Sequence, residues 1–270
     1  MRGSVLAGCF ALTLASVTYG ARAGDDARNA SEFRLLELGG RHVRWQLPHD
    51  GLPAKITYAF LTGPAEFSGA RNCDAMLPPE AALEPSHVDA AAFRREVRAA
   101  FTVWEAAANI MFVETSSVAD AGILIGADAK ARGRAFTNVA LADERAHARG
   151  IGAIRQSLIC LNPKRPWKIG FDGNLDVYDV RFTMTHEIGH AIGLDHPSPE
   201  GQLMSFRYVE RIEGLQAGDI AGAVALYGRK GAGSTAAREA ARSHGSSGVP
   251  RAAEEPAFGL GEPETPSRRR

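Results

Sequence analysis

The chain changes between two spacings of apolar residues, and each change marks an element. Between residues 55 and 61, Ile56, Tyr58 and Phe60 take every second position, the period of a half-buried strand. Residues 88–109 carry Val88, Ala92, Val97, Phe101 and Trp104 with charged residues between them, which predicts a long amphipathic helix. Apolar runs at 110–114, 122–125, 134–141 and 151–161 predict further strands, and the polar stretch 143–149 a loop. Pro163, Pro166, Gly170 and Gly173 then interrupt the chain. A second helix is predicted from Asp176, an acceptable N-cap with Asp179 three residues on. Its apolar stripe is Val180, Met184, Ile188 and Ala191, and Gly193 ends it. A third helix covers 216–227. This order of strand, helix, several strands, helix and helix predicts an α+β domain with one twisted mixed sheet.

The two ends differ from the middle. Arg2, an apolar run over 5–17 and Ala21-Arg22-Ala23 read as a signal peptide over 1–23. A short segment, 24–37, leads into a folded unit over 38–228. Residues 229–270 are rich in Gly, Ala, Ser, Pro, Arg and Glu, with Val249, Phe258 and Leu260 as their large apolar residues. Such a segment buries too little to offset chain entropy, so a disordered low-complexity tail is expected.

Composition narrows the function classes. With 45% hydrophobic and 23% charged residues, the chain reads as an ordinary globular protein. Its 31 basic residues balance 31 acidic ones, so no charge excess points to nucleic acid. The one long apolar run is the leader, too short for a membrane span. A cleaved leader implies a secreted or periplasmic protein and removes Cys9. Cys73 and Cys160 remain, and an even count in an oxidising compartment favours a disulfide between them. The alternatives are two free buried thiols, or Cys73 as a metal-blocking thiol.

Residues 186–197 carry the chemistry: His-Glu-Ile-Gly-His-Ala-Ile-Gly-Leu-Asp-His-Pro. His186 and His190 stand one turn apart on one helix face, a spacing that suits two ligands of one zinc ion. Gly193 lets the chain turn so that His196 returns as a third ligand. Three neutral imidazoles leave one tetrahedral position open, as in a catalytic site. Glu187 is not spaced as a ligand, but beside the metal it can act as a general base. A purely structural metal site has no use for such a base.

This stretch resembles the H-E-x-x-H-x-x-G-x-x-H consensus of metzincin zinc peptidases. Leu203-Met204-Ser205 resembles their methionine turn, and its place eight residues after His196 is similar to matrixins, the matrix-metalloproteinase family. Residues 215–228 resemble the closing helix of matrixins, and Ala100, Phe101 and Trp104 their first long helix. The resemblance implies a metzincin-like domain with a five-stranded twisted mixed sheet, three helices and a methionine turn. It implies a secreted zinc-dependent endopeptidase with His186, His190 and His196 as ligands and Glu187 as general base. Gly193, Met204 and Asp219 would be structural, Asp219 bracing the methionine turn. Tyr208 matches a residue lining the substrate pocket, and Phe206 stands beside it. Substrate, a protein or peptide, would lie extended along an edge strand near 134–141, and the enzyme would be a monomer.

Some positions depart from matrixins. Pro197 and Met204-Ser205-Phe206 are closer to serralysins, although Phe206 cannot supply that family's tyrosine ligand. The absence of a Pro-Arg-Cys-Gly sequence implies no cysteine-switch latency. Asp172, Asp176 and Asp179 could hold calcium, but helix capping and solvation explain them equally. The competing class is a non-catalytic secreted module binding zinc or peptides with the same cleft.

Overall fold

The computed structural model describes residues 33–142, 150–198 and 200–231. The leader 1–23, residues 24–32, the predicted loop 143–149 and residues 232–270 of the tail lie outside the described residues.

Short strands β1 (Arg34–Leu35), β2 (Glu37–Leu38) and β3 (Arg41–Arg44) precede the first long one, β4 (Ala54–Phe60). β5 (Ala65–Glu66) and β6 (Ala75–Leu77) form a hairpin before a one-turn helix, α1 (Glu80–Leu83), and the long helix α2 (Ala90–Ala107). β7 (Ile110–Glu114), β8 (Ile123–Asp128), β9 (Ala135–Leu141) and β10 (Gly152–Leu161) follow. Then come β11 (Trp167–Lys168), β12 (Tyr178–Asp179), helix α3 (Val180–Ala191), β13 (Leu194–Asp195) and helix α4 (Ala217–Tyr227).

Nine of these strands make one mixed sheet, ordered β2-β3-β10-β8-β4-β7, with β6 pairing β8 and β9 pairing β10. β3, β10, β8, β4 and β7 run parallel, while β9 runs antiparallel to β10. The α+β mixed sheet expected from the sequence is present. Its strands exceed the expected five and its α-helices are four among the described residues. The additions are two- to four-residue elements too short to show a period.

Parallel strands are covered on both faces, which explains why β8 reads as a continuous apolar run; all its residues are buried. On one face Ile56, Tyr58, Phe60, Ile123 and Ile125 meet Phe93, Val97, Phe101 and Trp104 of α2. On the other, Ala59, Leu61, Leu124 and Leu158 pack with Met76, Cys73 and Cys160. There Cys73 and Cys160 form a disulfide, tying the segment ahead of β6 to the end of β10.

Asp176 does not open α3. Tyr178 and Asp179 are still extended, paired with Trp167 and Lys168, so the N-cap falls on Asp179. Its Oδ1 accepts the Phe182 N–H at 2.7 Å and its Oδ2 the Gly170 N–H at 2.7 Å. Asp172 pairs with Lys168 and accepts the Asn174 N–H at 2.9 Å. These carboxylates do not converge into a group that could share a cation, so the calcium expectation is not supported. The fold also takes in residues ahead of 38, since Arg34 and Leu35 pair with Asp195 and Leu194.

Candidate metal centre

Helix α3 packs beside α2 and against β9 and β10, and it is buried nearly all round: Val180 and residues 182–189 are buried. The predicted stripe exists, and the opposite face carries His186 and His190 to the wall of a cleft. The Trp104 Nε1–H donates to the Thr185 carbonyl at 2.9 Å, and the Trp45 Nε1–H to the Ala191 carbonyl at 2.9 Å. Two glycines allow close approaches. A Cβ on Gly189 would meet Met204 Sδ at 2.2 Å, so Gly189 lets the methionine turn lie under the helix. Gly193 has φ +106°, and a Cβ there would meet the Val43 carbonyl oxygen at 2.2 Å. The chain therefore turns sharply at Gly193 and returns through β13, which β1 straps in place.

The return brings His196 to His186 and His190. Their Nε2 atoms form a triangle with edges of 3.0, 3.1 and 3.2 Å. His186 Nδ1 lies 2.9 Å from the Leu203 carbonyl oxygen and His190 Nδ1 lies 2.8 Å from that of Leu194. A carbonyl only accepts, so both Nδ1 atoms carry the proton and both Nε2 atoms present lone pairs. Lone pairs converging at this distance repel unless a cation lies among them. Tetrahedral zinc with nitrogen ligands needs an edge of about 3.3 Å, so the set fits the ion closely. Among the described residues, this is the group of three or more ligand-type side chains able to hold a metal.

Burial keeps the imidazoles neutral. It holds His186 well below the usual histidine range, helped by the neighbouring His190. It lowers His190 and pushes His196 down to about 4. Burial also raises the Glu187 carboxyl, against the opposing pull of a hydrogen bond from Thr137. The Thr137 hydroxyl, on β9, lies 2.8 Å from Glu187 Oε2.

Asp219 sits beneath the methionine turn. Its Oδ2 accepts the N–H groups of Leu203 and Gln216, each at 2.8 Å, and its Oδ1 that of Met204 at 3.0 Å. These bonds join the turn at Leu203 and Met204 to the first turn of α4. Tyr208 lines the same cleft as the triad. Its hydroxyl donates to Glu210 at 2.7 Å and accepts the Asp179 N–H at 2.9 Å. Phe206 is 76% exposed and presents its ring edge-on to His196, centroids 5.3 Å apart. Cys73 lies in the disulfide rather than at the triad. Sequence reasoning missed Thr137 and Gly189. The signal for Gly189 was a residue without a side chain between two ligands; Thr137 had none.

The matrixin family profile matches residues 81–228, more than half of the chain. Two similar proteins carry related names. The chain is 30% identical over 141 residues to "Probable matrix metalloproteinase 095L" of Invertebrate iridescent virus 3, covering 51% of this chain and 38% of that one. It is 31% identical over 136 residues to "Metalloendoproteinase 1-MMP" of Arabidopsis thaliana, covering 48% and 36%. The aligned part is thus well under half the length of either curated relative.

Proposed function

We propose that this chain, which belongs to the matrixin family, is an exported zinc-dependent endopeptidase. The observation that carries the reading is the convergence of three neutral imidazole nitrogens, 3.0–3.2 Å apart, beside a buried glutamate. His186, His190 and His196 would hold the zinc. When bound there, zinc supplies Lewis-acid polarisation of a peptide carbonyl and activation of water.

The chain's own residues do the rest. Glu187 takes the proton of the attacking water and passes it to the departing amine. Thr137 orients that carboxylate through Oε2. β9 pairs with β10 on one side, and its residues line the cleft. A substrate backbone adds to its other edge as a further strand. Phe206 and Tyr208 border the substrate's side chains. Asp219 fixes the methionine turn, whose Leu203 carbonyl in turn orients His186. The Cys73–Cys160 disulfide supports an oxidising, exported setting.

The test is cleavage of a quenched-fluorescent peptide library with and without a zinc chelator. Chelator-sensitive turnover is expected in the wild type. Glu187→Ala should keep its zinc and lose nearly all turnover, and His190→Ala should lose the metal itself. A folded, zinc-loaded wild type that cleaves no peptide would replace the peptidase reading with that of a binding module.

A further inference from the structure

The cleft carries a charge pattern that the balanced composition hides. Among the described residues, Arg71, Arg134, Arg155 and Arg207 line it against two carboxylates, Glu187 and Asp195. Asp195 pairs with Arg34 at 3.1 Å, and Glu187 is held by Thr137 at 2.8 Å. Neither acid is therefore given over to the arginines of the cleft. Arg207 meets Glu200 at 3.4 Å, with both side chains largely exposed.

Arg134 stands apart from the other three. It leads into β9, and its guanidinium lies over the rings of Tyr178 and Tyr208, 5.3 and 5.8 Å from their centroids. Its Nε is buried without a hydrogen-bond partner. The nearby Glu210 is taken up by Lys168 and Tyr208. Arg134 lines the same cleft as His186, Glu187, His190 and His196. A guanidinium cannot shed its proton and presents five N–H donors in a fixed fork. An aliphatic side chain lying against it in the cleft would strip water from those donors and return nothing. A carboxylate would satisfy two of them at once.

We propose that Arg134 makes this cleft selective for acidic polypeptides, the stretch of cleft lined by Arg134, Tyr178 and Tyr208 taking a glutamate or aspartate side chain that pairs with the guanidinium. Arg71, Arg155 and Arg207 extend the positive field along the cleft and favour further acidic residues on either side. Where it concerns cleavage, this rests on the peptidase reading; where it concerns binding, it does not.

The experiment therefore has two arms. Peptides differing only in Glu or Gln at one position are scanned through the positions flanking the scissile bond of a fluorogenic substrate. The first arm measures kcat/KM for zinc-loaded wild type, Arg134→Gln and Arg134→Lys. The second titrates the same peptides into zinc-loaded Glu187→Ala, reading Kd by fluorescence anisotropy. At one position, Glu should be favoured over Gln about tenfold or more in both arms, the scale of a charge-assisted pair. That ratio should approach unity in Arg134→Gln, survive in part in Arg134→Lys and shrink with added salt. Should Arg134→Gln not fold, the wild-type ratio and its salt dependence still decide. Parity of Glu and Gln at every position, a preference that survives Arg134→Gln, or no peptide binding at all overturns the inference. Cleavage without the preference leaves the peptidase reading standing. The preference in binding with no cleavage by the wild type supports the inference and overturns the peptidase reading alone.

Discussion

Asp219 offers the sharpest test of how the metal centre is held. Its carboxylate accepts three backbone N–H groups, from Leu203, Gln216 and Met204, and the residue is 1% exposed. Asp219→Ala leaves those donors without the acceptor. A buried unsatisfied donor costs about 1–3 kcal/mol. Leu203 and Met204 are themselves buried, whereas Gln216 is only partly so and can recover a water. The expected loss is about 3–5 kcal/mol, a large part of a typical domain's ~5–15 kcal/mol. Asp219→Asn should fall between. Its one oxygen can keep the Leu203 and Gln216 bonds, while its amide would face the Met204 N–H donor to donor, for about 1–3 kcal/mol. The effect should also reach the metal, because the Leu203 carbonyl orients His186, and loss of such support typically weakens binding about 10–100-fold. Urea unfolding followed by tryptophan fluorescence, in chelator and in zinc, gives the stabilities, and competition with a zinc indicator gives the affinity. If Asp219→Ala lies within about 1 kcal/mol of wild type, or Asp219→Asn is as damaging as Asp219→Ala, the carboxylate is not the brace.

Three further outcomes follow from the same geometry. Thr137→Val keeps the side-chain shape and removes the hydroxyl on Glu187; kcat/KM should fall about tenfold with zinc content unchanged, and Thr137→Ser should restore most of it. The double change Cys73→Ser and Cys160→Ser opens a link between residues 87 apart in sequence. The chain-entropy account then predicts a loss of about 4–5 kcal/mol, read as a lower urea midpoint, and an unchanged midpoint would refute it. In chelator, stability should fall as pH drops from about 7.5 to 5. The reason is that burial lowers the pKa of His186, His190 and His196, so the unfolded chain takes up protons that the folded chain refuses. Glu187, Asp179 and Asp219, raised by burial, offset part of this, but they start from ordinary values below the interval, whereas the ordinary histidine value of about 6.5 lies within it. Stability that rises over that interval would contradict the assignment of neutral buried imidazoles.

The longer elements were legible because their apolar spacing reports burial directly. Residues 110–114 were read as a strand and form β7 (Ile110–Glu114). The long helix was expected over 88–109 and runs Ala90–Ala107, capped by Asp89 through the Ala92 N–H at 2.8 Å. The start of α3 was not legible, since Asp176 and Asp179 are equally good caps by residue type. What chooses between them is the pairing of Tyr178 and Asp179 with Trp167 and Lys168, a tertiary contact that no local pattern encodes. The two-residue strands were missed for the same reason: β1 and β13 exist only because they meet each other.

The site divides along the same line. The triad was readable because helix geometry places His186 over His190 and Gly193 permits the turn to His196; each step is local. The groups that tune it come from β9, about 50 residues upstream, and reach α3 only through the register of β9 on β10. That register pairs Thr137 with Ile159 and Asn138 with Leu158, and in it the Thr137 hydroxyl meets Glu187. A slip by one residue would send Thr137 to the other face and bring Phe136 or Asn138 towards the carboxylate. Phe136 instead packs with Leu158 and Cys160 on the far face, where the disulfide joins Cys160 to Cys73. The alternation that buries Phe136 on one face is therefore what delivers Thr137 to the other. The sheet's second, smaller core thus serves the metal centre by fixing the strand along which a substrate would pair.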